Sequence, residues 1–323
     1  MKPTMSLCPI CYKEIPAVVY TTNVVMMDKI CPVHGRFSAM VERDIPWYQL
    51  CMLEDSKEIY NGYFVDITSR CNLKCKYCYH KNTGEDTPLE EIIKDIEEHK
   101  DLAPFIITGG EPCLHKDIVE IVKKASEYGE VNISTNGTLL RNEQFCTDLA
   151  EAGLLYEGNT LHISLSLHKE SNGLDIAFLN FCKNTNHKIW TLIYTMDSLS
   201  QMEEALTLFA AYSDVVHNFR IKSVSNVWAT DAVKNSNKIF TSDMVKEVSK
   251  YGEIQPARKQ KVSVASIRFQ GLEIRLVHWY DIMNIDLWDI DCPPYYKARN
   301  GKLYNMLTAC VINEGLAKGC EIL

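Results

Sequence analysis

The sequence predicts an α/β protein built on a parallel sheet, flanked by a small N-terminal metal-knuckle module and a C-terminal extension. Three observations carry this. Between residues 62 and 227, six short apolar runs alternate with helical patterns, which is how βαβ units announce a parallel sheet with right-handed crossovers. Before them stand two knuckle-like pairs, Cys8-Pro9-Ile10-Cys11 and Cys31-Pro32-Val33-His34. After them the period changes, and two runs around Gln270-Gly271 read as a β-hairpin. The expected boundaries are 1–50 for the module, 55–235 for the sheet domain and 236–323 for the extension or lid.

In the module, each knuckle turn aims two side chains at one ion, so Cys8, Cys11, Cys31 and His34 make a Cys3His set. Imidazole as the fourth ligand favours zinc over iron. A strand-like stretch, Val18 to Val25, separates the pairs. A segment this small has little core of its own, so the metal is expected to hold its fold and to play a structural or substrate-facing part.

The sheet domain opens with the run Gly62 to Thr68, followed at once by Cys71, Cys75 and Cys78 at C-x3-C-x2-C spacing. Three thiolates can hold three irons of a four-iron cubane and leave the fourth open to a substrate. A zinc site would need a second pair nearby, and none is present beside Cys71. Thr87-Pro88-Leu89-Glu90 reads as a helix start, with Thr87 as N-cap and Glu90 closing a capping box. Leu89, Ile92, Ile93 and Ile96 then share a face. Phe105 to Thr108 is the second strand, ending in Gly109-Gly110-Glu111-Pro112, where the glycines permit close backbone approach to a ligand. A helix over 117–128, a strand over 131–135, an Asn136-Gly137 turn and a helix over 142–152 follow. Strands at 161–167, 189–195 and 219–227 then alternate with helices at 174–182 and 202–212.

Cys71, Cys75 and Cys78, the aromatic Tyr77 before the third cysteine, and Gly109-Gly110-Glu111-Pro112 about thirty residues later resemble the cluster loop and glycine motif of the radical S-adenosylmethionine (SAM) superfamily. The resemblance implies a curved partial (β/α)6 barrel, a [4Fe-4S] cluster and SAM chelated at the open iron. It also implies reductive cleavage of SAM to a 5′-deoxyadenosyl radical that takes hydrogen from a substrate. On this reading Gly109, Gly110 and Glu111 orient the methionine end of SAM and Tyr77 lies near the adenine. Ligands of such sheets gather at the carboxyl ends of the strands. Ser134, Asn136, Ser164, Ser166 and His168 are therefore candidates for the ribose and carboxylate, with Ser166 preferred over its neighbours. Ser166-Leu167-His168 itself resembles a family segment. Arg220 and Lys222 either reach a carboxylate or phosphate or are solvated edge charges. The ribbon placed before such a core looks like a subgroup acting on lipids and pterin precursors.

In the extension, a helix over 241–251 leads to the hairpin strands 262–269 and 272–280, expected to cover the open side of the barrel. Trp279, Trp288, Tyr295, Tyr296 and Tyr304 read as packing residues before they read as a stacking surface. Cys292, Cys310 and Cys320 lack a close pair, which argues against an auxiliary cluster, although Cys292 has the chemistry of a hydrogen donor. Cys51, Cys113, Cys146 and Cys182 read as small buried apolar residues.

Length and charge narrow the classes further. The 323 residues carry a net charge of −8, so no general basic surface invites nucleic acid or anionic lipid. No apolar run is long enough to span a membrane, and thirteen cysteines grouped at ligand spacings fit a reducing, cytoplasmic setting. The expected function is a radical SAM enzyme acting on an unactivated carbon of a small or nucleotide-like substrate, with a reductant such as flavodoxin or ferredoxin as partner. Alternatives are an isomerase remodelling a modified base in phage DNA, a C–C bond-forming or methylating enzyme of lipid or pterin type, and a non-enzymatic metal-stabilised binding module.

Overall fold

A computed structural model describes residues 1–52, 62–76, 78, 83–156, 160–224, 238–261, 264–278, 281–290, 295–298 and 301–317. The N-terminal module is a four-stranded antiparallel sheet of β1 (Lys2–Leu7), β2 (Glu14–Thr21), β3 (Val25–Cys31) and β4 (Gly35–Glu42) in sequential order. It holds more strand than expected. The Val18–Val25 stretch is the end of β2, a turn over 22–24 and the first residue of β3, the turn closed where the Thr22 amide donates to the Val24 carbonyl at 2.8 Å. A short helix, α1 (Ile45–Met52), leads out.

The large sheet begins with β5 (Tyr63–Asp66), then α2 (Leu89–Glu98), β6 (Phe105–Thr108), α3 (Ile118–Ser126), β7 (Val131–Thr135) and α4 (Glu143–Leu149). A two-residue β8 (Leu155–Tyr156) precedes β9 (Thr160–Leu167), α5 (Leu174–Thr185), β10 (Lys188–Met196), α6 (Met202–Ala211) and β11 (Val216–Ser223). The strands β5, β6, β7, β9, β10 and β11 are neighbours in that order and all parallel. Parallel register makes laterally paired residues share a face. One face carries Tyr63, Val65, Phe105, Ile107, Val131, Ile133, Ile163, Leu165, Leu192, Phe219 and Ile221, all packed under the helices. The other carries Asp66, Asn132, Ser134, Ser164, Ser166, Thr195, Arg220 and Lys222, all half-buried, with the apolar Phe64, Ile106 and Ile193 interspersed, so it is the more polar face.

Local details depart from the expected pattern. Helix α2 opens one residue later than a Thr87 cap would place it. Pro88 occupies the N-cap position without a side-chain cap bond, because the Thr87 amide is spent on the Ile67 carbonyl (3.0 Å) and its hydroxyl lies against the Asp66 carbonyl (3.4 Å). Helix α4 starts on an Asn142 cap and widens into a π-turn over Ala150–Leu154, where Gly153 takes φ +116°. The sixth strand runs Val216–Ser223, earlier than expected, and residues 225–227 lie outside the described residues.

The C-terminal segment corrects the expectation of a lid. Helix α7 (Thr241–Val248) is followed by β12 (Ile254–Lys261), β13 (Val264–Phe269) and β14 (Leu272–Val277). Strand β14 pairs in parallel with β11, so the hairpin extends the sheet edge in plane. Its apolar residues Ile267, Phe269, Ile274 and Leu276 thereby enter the main core. Beyond α8 (Leu287–Ile290), strands β15 (Tyr295–Lys297) and β16 (Leu303–Asn305) extend the opposite edge beside β5, and α9 (Met306–Ala317) follows. Tyr296 and Tyr304 pack there with Phe64, Ala309 and Ile312, as packing residues should, whereas Trp288 is exposed. Trp279, Cys292 and Cys320 lie outside the described residues. Cys51, Cys113, Cys146 and Cys182 are buried thiols, as their surroundings in the sequence suggested.

The module does not rely on metal alone. Leu7, Tyr12, Val19, Val25, Met27 and Val41 form one apolar cluster with Ile285 and Val311 from the C-terminal segment. Lys29 is buried in this seam, its ammonium donating to Ser6 Oγ (3.1 Å), Leu7 O (2.7 Å) and Ile282 O (2.6 Å). Ser6 Oγ in turn donates to Ile285 O at 2.6 Å, and Asn284 Nδ2 to Met40 O at 2.9 Å. No helix among the described residues is long and apolar enough to cross a membrane.

Candidate functional site

Two cysteine groups stand in the structure, and their spacings differ in kind. Cys8, Cys11, Cys31 and His34 bring one ligand atom each to within 4.8 Å of all the others. His34 Nδ1 lies 3.5 Å from Cys8 Sγ and 3.4 Å from Cys31 Sγ, and Cys11 Sγ lies 3.9 Å from Cys31 Sγ. Tetrahedral zinc with Zn–S near 2.3 Å and Zn–N near 2.05 Å requires S···S edges of about 3.8 Å and S···N edges of about 3.6 Å, so the four residues fit the ion. Burial raises the Cys8 thiol. Burial alone would raise Cys31 too, but the amides of Val33 and His34 and the His34 ring outweigh it and bring the thiol down to about 6, ready to ligate at neutral pH.

The second group sits where the parallel strands end. Cys71, Cys75 and Cys78 are half-exposed, in the loop directly after β5. Cys75 feels both other thiols electrostatically, yet the three are not within 4.8 Å of one another. That wider spacing suits a multi-iron group, whose thiolates each bind a different corner, better than a single ion, and an all-thiolate donor set is what iron–sulfur clusters take. Burial, then Glu170, pushes the Cys75 thiol well above its usual range, and burial likewise raises Cys71. Iron would have to displace those protons.

The loop is held from beneath by the glycine motif. The Gly110 amide donates to Thr68 O and the Glu111 amide to Arg70 O, both at 2.7 Å. A Cβ on Gly110 would lie 2.6 Å from Arg70 C and 3.1 Å from Cys71 Cβ, and one on Gly109, whose φ is +149°, would press on the Thr68 backbone. The close approach these glycines permit is thus to the cluster loop itself. Glu111 is buried, and its carboxylate accepts from the Cys113 amide (3.0 Å), Thr135 Oγ1 (2.7 Å) and the Asn136 amide (2.7 Å). Asn136 passes the support upward: its Nδ2 donates to Asn72 Oδ1 at 2.9 Å and lies 4.0 Å from Cys71 Sγ.

Of the remaining candidates, Ser134 and Ser164 are laterally paired and Ser166 stands beside Ile193, all on the polar face. Ser164 donates to Asn132 Oδ1 at 2.9 Å. His168 lies closest to the thiols, with Nδ1 3.3 Å from Cys75 Sγ; burial lowers its pKa, against the pull of Asp175 and Glu170. Tyr77 lies outside the described residues.

Reading the sequence did not single out four residues that shape this site. Glu170 joins Cys75 and His168 in one group of ligand-type atoms. Arg70 clamps the loop by donating Nε and Nη2 to Asp86 (2.8 and 2.7 Å) and Nη2 to Leu114 O (2.6 Å). Arg275, on β14, stands beside Arg220. Only adjacency to Cys71 offered a signal for Arg70; the others are brought in from 16 to 200 residues away.

Comparison with known proteins agrees with this geometry. Residues 65–219 match the Radical SAM superfamily and residues 1–43 match the HMPTM N-terminal zinc ribbon domain. A 7,8-dihydro-6-hydroxymethylpterin dimethyltransferase of Methanocaldococcus jannaschii is 30% identical over 191 residues, 47% of this chain and 37% of that protein. A GTP 3′,8-cyclase of Desulforamulus reducens is 32% identical over 114 residues, 32% of this chain and 34% of that one. The chain therefore spans about a third of the length of these curated relatives. The crystal structure of Streptococcus suis SuiB bound to the precursor peptide SuiA shares the fold, at TM-score 0.51 and 16% identity over 79% of this chain and 61% of that one. Residues 65–219 thus carry a radical SAM domain, which implies a [4Fe-4S] cluster and SAM as cofactors, and residues 1–43 a ribbon of the zinc-binding kind.

Proposed function

We propose that the chain is an enzyme that removes a hydrogen atom from an unactivated carbon of a small or nucleotide-like substrate. Cys71, Cys75 and Cys78 would hold a cluster that, with SAM bound beside it, would supply the one-electron chemistry for taking that hydrogen. One observation carries the reading: three half-exposed thiols stand at the carboxyl ends of six parallel strands, beside the more polar face of the sheet.

Cys71, Cys75 and Cys78 would hold the cluster. Gly109, Gly110 and Glu111 keep the loop in register with β6 and β7, and Asn136 fixes it from the side of Cys71. Ser134 and Ser166 offer hydroxyls on the polar face for the ribose and carboxylate of SAM. The helices pack on the opposite face, so the reacting centre lies on the side away from the main apolar core.

The test is anaerobic reconstitution, a count of iron, sulfide and zinc, then reduction by dithionite or flavodoxin with SAM present. About four irons, one zinc and 5′-deoxyadenosine are expected. No iron and no cleavage would return the chain to the metal-stabilised binding-module alternative.

A second reading concerns the fate of the substrate radical. The HMPTM-type ribbon and the pterin dimethyltransferase among the relatives support C–C bond formation or methyl transfer on a pterin-like heterocycle. Incubation of 7,8-dihydro-6-hydroxymethylpterin with methyl-deuterated SAM tests it by a mass increase in the pterin, and an unlabelled pterin would exclude that substrate.

A further inference from the structure

The polar face of the sheet ends in a group of cations that the function described so far does not use. Arg220 on β11 and Arg275 on β14 are direct lateral partners, so both side chains leave the same face. Lys222 is two residues further toward the carboxyl end of β11, on that face too, and pairs with Thr195 of β10. The register Ile193 with Ser166 and Tyr194 with Leu167 places His168 in the same lateral row as Thr195 and Lys222. Two strand spacings of about 4.8 Å each therefore separate the backbone of Lys222 from that of His168, whose ring touches Cys75. Side chains as long as lysine and arginine bridge much of that distance.

Burial and like charge act against Arg220 and Lys222. Arg220 Nε is buried and has no acceptor among the described residues. Burial, then the neighbouring Arg275, lowers Arg220 to about 9, and burial, Arg220 and Arg275 lower Lys222 to about 7. The flanking pairs along β11 and β14, Phe219 with Ile274 and Ile221 with Leu276, are apolar and enter the core from the opposite face. A planar guanidinium pair with an ammonium one pleat above it matches an oxyanion, which accepts from all three.

We propose that Arg220, Arg275 and Lys222 form a subsite for an anionic group of the substrate, a phosphate or carboxylate, placing the rest of that substrate toward the cluster loop. The inference rests on the functional reading above and narrows it to anionic, and in particular phosphorylated, substrates.

The probe is inorganic phosphate or pyrophosphate, titrated into the zinc-loaded, reconstituted full chain and followed by calorimetry and thermal melting. Wild type is expected to bind and be stabilised. Arg220→Met with Arg275→Met should lose at least tenfold in affinity, whereas Arg268→Met, on the exposed face of β13, should not change it. In phosphate-free buffer the double variant should melt close to wild type; a much lower melting point would make the arginines structural and overturn the proposal. Equal phosphate binding by wild type and double variant would overturn it as well. Substrate-free cleavage of SAM separates the two claims. The double variant should keep its SAM affinity within about twofold; a loss matching that for phosphate would assign the cations to the carboxylate of SAM instead. Phosphate binding in a chain that never cleaves SAM would sink the functional reading and leave the subsite standing.

Discussion

Replacing Gly110 by alanine tests the account of how the cluster loop is held. The new Cβ would sit 2.6 Å from Arg70 C and 3.1 Å from Cys71 Cβ, and Arg70 O is nearer still. These are backbone and Cβ atoms with no rotamer to escape into, so the loop must retreat by roughly an ångström before packing becomes tolerable. Retreat strains two hydrogen bonds, from the Gly110 amide to Thr68 O and from the Glu111 amide to Arg70 O. Overpacking costs about 1–3 kcal/mol and each hydrogen bond about 1 kcal/mol, so the expected loss is about 3–5 kcal/mol. Against a total stability of about 5–15 kcal/mol, this should lower the melting temperature by about 4–7 °C. Because the strain falls on the residues around Cys71, iron retained after anaerobic reconstitution should fall well below the wild-type level. Gly173→Ala is the control: its φ of +81° disfavours alanine, but nothing lies within 4 Å. It should cost about 1–2 kcal/mol and leave the iron count unchanged. A Gly110→Ala chain with wild-type iron content and melting temperature would refute the claim that the motif supports the loop by close approach.

Three further outcomes are expected. Cys75→Ala should abolish 5′-deoxyadenosine formation, whereas Cys8→Ala should lose zinc and melt lower while still cleaving SAM; cleavage surviving in Cys75→Ala would overturn the cluster assignment. The hydrogen bond from Arg70, followed by that from Thr68, holds the Asp86 carboxyl below its usual range, against a burial effect that would raise it. Its contribution to stability is therefore present above the unfolded value near 3.9 and lost as pH falls through the folded value. In melting curves of cluster-free protein between pH 6 and 3, the gap between wild type and Asp86→Asn should close as pH drops; a gap independent of pH would contradict the pairing. Lys29→Met should weaken docking of the ribbon, because Leu7 O and Ile282 O each lose a buried donor at a net cost of about 2 kcal/mol. Faster proteolysis in residues 1–42 at unchanged zinc content would report it, and unchanged protection would show that the apolar seam alone holds the module.

The sequence by itself determined the chemistry and the repeat. Ligand spacing is local: Cys71, Cys75 and Cys78 must share one loop wherever that loop goes, and Cys8-Pro9-Ile10-Cys11 must form one knuckle. The six parallel strands were legible for a related reason, since each is a short apolar run between helical patterns and each crossover is local in sequence. What only the tertiary structure decided lies between residues far apart. Glu111 reads as a ligand-facing carboxylate in the sequence, yet folding turns it onto Cys113, Thr135 and Asn136. The ribbon looked like a module held by metal, until Ile285 and Val311 were brought against Val25 and Met27 to complete its core. The hairpin looked like a lid because alternation marks a strand but not its partner; an exposed edge at β11 offered its unpaired backbone groups, and β14 satisfied them in parallel. That pairing also set Arg275 beside Arg220 across 55 residues of sequence. Two like charges so placed are a property of the register alone, and nothing in the order of the residues could have announced them.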